Sequence, residues 1–268
     1  MARKGFLGRL AVVLFGAGAA SQAGAQDPAQ IGAAPAPGPE QLARRAMIEE
    51  LAEDPRPDEL ARKARSEAIL HQRGVPVLDA LPVIAGESRS QRRTDREVAE
   101  RALGAMIAAV KAETGDFDMG QALLQQFGAT GYLSPMERAF MADPDPEEQF
   151  RTNIAWRYEG VYVLLWALGF YDDLSREDEI VDVARMGGLL RELGADGLFA
   201  QAKLRPQAEI LDMADYYYRL HWAVTNARLK GEVLPEGTDA SIMLERARAL
   251  NWLYGYAGQG WDEVDADT

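Results

Sequence analysis

The sequence predicts an all-α fold: a compact single-domain array of about eight to eleven helices with little or no sheet. Three observations carry this. The strong helix formers Ala, Leu, Glu, Lys and Arg dominate long stretches. Helix-start signals recur just ahead of apolar runs. No stretch sustains the period-two alternation of a half-buried strand.

The N-terminus is a separate object. Arg3, Lys4 and Arg9 make a positive region, Leu10 to Ala20 is a short apolar run, and Ala23-Gly24-Ala25 is a small-residue cleavage site. Residues 1–25 therefore have the layout of a secretory signal peptide, cut near Ala25. The run is too short and too rich in Gly and Ala for a membrane anchor, so no transmembrane anchor is expected after cleavage. The Arg3-Lys4 pair also resembles a twin-arginine signal with Lys in the second place, and the general secretory route is favoured over it. Residues 26–40 are Ala/Pro/Gly-rich and are expected to tether the cleavage site to the folded part, residues 41–268.

Cleavage removes three positive charges and no negative ones, taking the formal net charge from −13 to −16. Phosphate backbones repel such a chain, so no nucleic-acid partner is expected. Hydrophobic residues make up 47 %, enough for a substantial core, and with no cysteine there is no disulfide. With two histidines and no cysteine, a zinc site of the usual ligands is not expected. No cofactor and no metal are predicted, and the partner, protein or small molecule, is left open.

The helices are predicted in order. Residues 41–53 and 57–73 carry helix formers, with Pro57 in a first turn and Gly74 closing the second. His71, in that last turn, is expected to face water. Residues 75–84 are broken by two prolines and read as extended or irregular. Thr94 and Glu97 form a capping box for a helix 94–114 with Val98, Ala102, Ala105 and Ala109 on its apolar face. Short helices follow at 119–127 and 134–142, the second capped by Ser134 and Glu137. Asp145-Pro146-Glu147-Glu148 is expected to cap the longest helix, 146–170. A helical pair at 175–203 is divided at Gly194, a helix 206–230 ends at Gly231, and Thr238-Asp239 open a last helix that ends at Gly255.

Polar residues in awkward places mark the candidate site. From Gly160 to Tyr171 there is no charge, so that stretch is a buried helix, and Arg157 and Glu159 just before it point to different sides. In 209–224, Asp212, Asp215 and Arg219 fall on one narrow stripe, with Asn226 further on. Asp215 and Arg219 are an i,i+4 pair in the favourable order. His221 lies on the apolar side with Ile210, Tyr217 and Val224, and reads as a satisfied core histidine rather than a base. In the last helix Arg246 projects into the face of Ile242, Ala249, Leu250 and Leu253, so it needs a carboxylate, Glu159 or Asp212. The candidate cluster is thus Arg157, Glu159, Glu209, Asp212, Asp215, Arg219, His221 and Arg246. An internal network joining three helices explains it better than a catalytic site. Trp261 reads as an anchor for the acidic end.

Some of these residues also carry a resemblance. Arg157-Tyr158-Glu159 with Leu164 to Gly169 is similar to the WRYE…LLWALG signature of the family called domain of unknown function 4272. Leu204-Arg205-Pro206, Glu209 to Asp212, Tyr218-Arg219 and His221-Trp222-Ala223 resemble its LRP…EILD…YR.HWA stretch. Glu245-Arg246, Ala249 to Leu253, Trp261-Asp262 and Asp267-Thr268 resemble its ending, and Arg73-Gly74, Leu81-Pro82 and Arg96 to Ala99 fit upstream. The resemblance spans roughly residues 60–268. It implies an all-helical domain and no activity. The export signal departs from the cytosolic setting expected of the family.

Two functions follow as expectations. The first is a non-catalytic binding or structural protein of the cell envelope, periplasmic or secreted. It rests on the lack of a Gly-rich phosphate loop, a G-x-S-x-G elbow and an HExxH helix. The alternative is a hydrolase or lyase with Glu159, Asp212 or Asp215 as acid or base and Arg157, Arg219 or Arg246 on an anionic substrate.

Overall fold

In a computed structural model the described residues are 38–174 and 177–266. The expected signal peptide, residues 1–25, and most of the expected tether lie outside them. Residues 39 and 40, assigned to the tether, already belong to the first helix.

Helices α1 (Pro39–Glu53) and α2 (Pro57–Gln72) are followed by the irregular prolines-bearing stretch. Then come α3 (Asp95–Thr114), α4 (Phe117–Phe127), α5 (Pro135–Ala142), α6 (Glu148–Ala155), α7 (Arg157–Ala167), α8 (Val183–Gln201), α9 (Gln207–Lys230) and α10 (Ala240–Leu253). Two 3-10 turns complete the set, Ala129–Tyr132 and Tyr256–Gly258. There is no strand among the described residues. His71 is exposed.

The packing order is α2 on α9, α9 on α10, α10 on α7, and α7 on α3. Helices α4, α5, α6 and α8 lie against α3. Every residue of α7 is buried, as its uncharged stretch requires. On α3 the alanines 99, 102, 105, 108, 109 and 112 are fully buried, and their small side chains let several helices approach one surface. The two capping boxes form: Thr94 Oγ1 accepts from the Glu97 N–H at 3.1 Å, and Ser134 Oγ from the Glu137 N–H at 3.2 Å.

Three expectations are corrected. The longest predicted helix, 146–170, is two helices. Asp145 does not cap it; Glu147 stands at the N-cap without a side-chain bond. The turn tightens at Trp156, where the Glu159 N–H reaches back to the Trp156 carbonyl at 3.1 Å. Trp156, where the two helices meet, packs against Ile242 of α10. The chain leaves α7 by a Schellman motif, Phe170 N–H to Leu165 O at 2.9 Å around Gly169 with φ +84°.

The helical pair predicted at 175–203 starts only at Val183. Residues 177–182 spend their backbone on the core: the Val181 N–H donates to Glu159, and the Glu179 carbonyl accepts from Arg246. A helical ladder would have used those groups itself. Gly194 does divide α8, at φ +63° and ψ −177°, a conformation open essentially to glycine. The helix predicted at 119–127 begins earlier, at Phe117, with Asp116 as its cap.

Candidate functional site

Arg246 enters the core from α10 and meets Glu159 of α7, Nε to Oε2 at 2.9 Å. Its remaining N–H groups reach the Leu174 carbonyl, the Tyr217 hydroxyl and the Glu179 carbonyl, each at 3.3 Å. Its face lies over the Tyr162 ring at 5.1 Å. The other Glu159 oxygen accepts the Val181 N–H at 2.8 Å. Both residues are 1 % exposed. Burial pushes the Glu159 carboxyl up, while Arg246 and the Val181 N–H pull it back. For Arg246 burial works against the charge, but Tyr217 and Glu159 outweigh it and hold the guanidinium protonated. Tyr217 is pushed up to about 12, chiefly by burial.

The Asp215–Arg219 pair of α9 forms a fork, Nε to Oδ2 at 2.9 Å and Nη2 to Oδ1 at 2.8 Å. Arg219 also donates to Glu67 of α2 at 3.3 Å and to the Pro82 carbonyl at 3.1 Å. Both are fully buried.

The expected single network is therefore divided. Asp215 and Arg219 turn toward α2 and the prolines, whereas Glu159 and Arg246 turn toward the loop before α8. Asp212 does not reach Arg246. It accepts from Arg62 at 2.9 Å and Arg65 at 2.7 Å, both on α2, and is 45 % exposed. Glu209 lies outside any cluster, exposed and paired with Arg205 at 3.3 Å. Arg157 belongs to a third group at the C-terminal end, stacked over Trp261 at 5.5 Å. Trp261 is buried, as an anchor must be. His221 is buried, but it is not satisfied: its Nδ1 has no partner among the described residues. Burial, with Arg228 adding to it, holds its pKa down at about 4.

Sequence reasoning missed four further buried charges, Glu59, Arg101, Lys111 and Glu137. Glu59 accepts the Gly86 N–H at 2.7 Å, the Arg56 N–H at 2.8 Å and Arg89 Nε at 2.9 Å. Burial raises its pKa, but Arg89 and the two N–H groups outweigh this, and the net direction is down. Arg101 pairs with Glu137 in the core, and Lys111 donates to the Phe140 carbonyl at 2.6 Å, closing the C-terminal end of α5. Lys111 left a signal, as the sole charge between Arg101 and Glu113. Glu59 and Glu137 left none, because a glutamate at the third position of a helix already has a capping role.

Beside the Glu159–Arg246 pair lies a pocket of about 390 Å³ whose inner wall is the guanidinium. Its carboxylates come from the loop, Asp172, Asp173, Glu179 and Asp182. An apolar pocket of about 230 Å³ separates α1 from Pro82, Tyr218 and Tyr254. Among the described residues no cluster of three or more His, Cys, Asp or Glu is placed to hold a metal. No helix there is long and apolar enough to cross a membrane.

What fold and site define is an all-helical domain whose layers are joined by buried arginine–carboxylate pairs. The family model described as domain of unknown function (DUF4272) matches residues 62–264, and the chain belongs to that family. No curated protein and no solved structure matches the chain.

Proposed function

We propose that the chain works as an exported, non-catalytic binding or structural domain of the cell envelope, periplasmic or secreted. The observation that carries the non-catalytic part is the closure of Glu159 and Asp215. Each is buried against a guanidinium, with its oxygens taken by Arg246 and the Val181 N–H, or by the Arg219 fork. A hydrolase or lyase using Glu159 or Asp215 would need that carboxylate open to a bound substrate, and the half-exposed Asp212 is already held by Arg62 and Arg65. The positive region, apolar run and Ala23-Gly24-Ala25 support export.

Two measurements test it. Mass spectrometry of the envelope fraction is expected to find a terminus near Gln26, and an intact Met1 in the cytosol overturns export. A thermal-shift screen of metals and metabolites is expected to reveal a stabilising ligand that the protein leaves chemically unchanged. Turnover of that ligand, abolished by Glu159→Gln, overturns the non-catalytic reading.

A further inference from the structure

Where α7 begins, a cleft of about 300 Å³ opens between the first turns of α10, the end of α9 and the C-terminal tail. Arg157, Arg228 and Arg248 line it, with Trp156, Met136 and Leu244 as apolar walls. We propose that this cleft binds a small organic carboxylate, its charged end held by Arg157 and Arg228 and its apolar body against Trp156 and Leu244. This names a ligand class for the binding function above and rests on it.

Arg157 is 7 % exposed, and its hydrogen-bonding capacity is largely unspent. A guanidinium carries five N–H donors. Among the described residues Arg157 makes one hydrogen bond, to the Met136 sulfur at 3.7 Å. Sulfur is a weak acceptor. The nearest carboxylate oxygen, Asp262 Oδ1, is 3.8 Å away, beyond hydrogen-bond reach. Asp262 is already engaged, by the Ser134 hydroxyl at 2.7 Å and the Met136 N–H at 2.9 Å. The guanidinium lies 5.5 Å from the centre of the Trp261 ring, and Arg157 lines the cleft. The Asp262 carboxylate stands close enough for an ion pair but not for a hydrogen bond, and an incoming carboxylate would supply the two parallel bonds that are missing.

Arg228 is exposed in the last turn of α9, and its side chain makes no ion pair or hydrogen bond among the described residues. Arg248, by contrast, is already held by Glu245 at 3.3 Å and the Val264 carbonyl at 3.3 Å. Two arginines are thus left to bind. Glu245 and Asp262 offset two of the three arginine charges on these walls, leaving about one positive charge, which a single carboxylate neutralises. The volume stands at the low end of ligand pockets, about 300–1,000 Å³, so the ligand is small.

The test is calorimetric titration of the full chain with benzoate, beside benzamide as its uncharged analogue and inorganic phosphate as the dianion. Benzoate is expected to bind one to one, at least about tenfold tighter than either control. Arg228→Ala is expected to weaken it by about tenfold with an unchanged melting midpoint, and Arg157→Met to abolish it. If Arg157→Met does not fold, Arg228→Glu serves in its place, with loss of binding expected. No benzoate binding, equal binding of benzamide, tighter binding of phosphate, or indifference to Arg228→Ala overturns the proposal. If benzoate fails while the thermal-shift screen finds another ligand, the carboxylate site falls and the binding function stands.

Discussion

Glu159 and Arg246 stand 87 residues apart in sequence and meet at 2.9 Å in a core that leaves each 1 % exposed. The pair ties α7 to α10, and through the Leu174, Glu179 and Val181 backbone it also holds the loop before α8. Taking two charges out of water is costly, and only complete pairing offsets the cost.

Arg246→Ala strands the Glu159 carboxylate, at an expected cost of about 3–5 kcal/mol. That is a large part of a typical stability of about 5–15 kcal/mol. Arg246→Met with Glu159→Leu removes both charges and keeps volume, so most of the loss is expected to return. Urea denaturation of the parent, Arg246→Ala and the double variant measures it. A loss within about 0.5 kcal/mol for Arg246→Ala would put the arginine in water.

The carboxylates of α9 should separate by burial. Asp215→Ala leaves Arg219 buried without its fork, with an expected loss of about 3–5 kcal/mol. Glu209→Ala gives up an exposed i,i+4 pair and should stay within about 0.5 kcal/mol. Equal losses in denaturant melts would contradict the division of the stripe.

What was legible in the sequence was whatever local chemistry decides. Thr94 with Glu97 and Ser134 with Glu137 cap their helices because the partners sit one turn apart. Arg246 on an apolar face had to find a carboxylate, and Glu159 was one of two candidates. The choice between Glu159 and Asp212 was not legible, because it depends on where α2 carries Arg62 and Arg65, a long-range fact. The break at Trp156 was hidden because helix propensity runs straight through it and Trp156 itself keeps helical backbone angles. Glu59, Glu137 and Arg101 look like residues of solvated faces until the elements that bury them are in place.

Gly160 is a sensitive position on α7. A Cβ there would lie 3.2 Å from Trp261 Cη2 and 3.7 Å from the Ala249 Cβ. Alanine in a helix gains up to about 1 kcal/mol over glycine. Overpacking costs about 1–3 kcal/mol when the neighbour cannot yield. Trp261 cannot easily yield, with Trp252 edge-on at 5.4 Å and Arg101 and Arg157 at 5.3 and 5.5 Å from its ring. Gly160→Ala is therefore expected to be destabilising and to change tryptophan fluorescence. A raised melting midpoint with unchanged emission would mean that the ring has room.

His221 predicts a pH dependence. Its folded pKa, about 4, lies below the ordinary 6.5, because burial and then Arg228 oppose the proton. The unfolded chain thus takes up a proton at a pH where the folded one does not. Stability then rises with pH between those values. The contribution is complete above pH 6.5, falls as pH drops from there, and is gone below about 4. At about 1.4 kcal/mol per unit the whole effect is about 3 kcal/mol. Ordinary carboxylates titrate near the bottom of this window, and the raised Glu159 carboxyl changes stability in the opposite sense, so a fall in stability from pH 7.5 to 5 belongs to the histidine. Urea midpoints from pH 7.5 to 5 are expected to fall for the parent and to stay flatter for His221→Phe, which removes the titrating ring and keeps an apolar one. Parallel curves would show that His221 titrates alike in both states, and so that water or a ligand reaches its Nδ1.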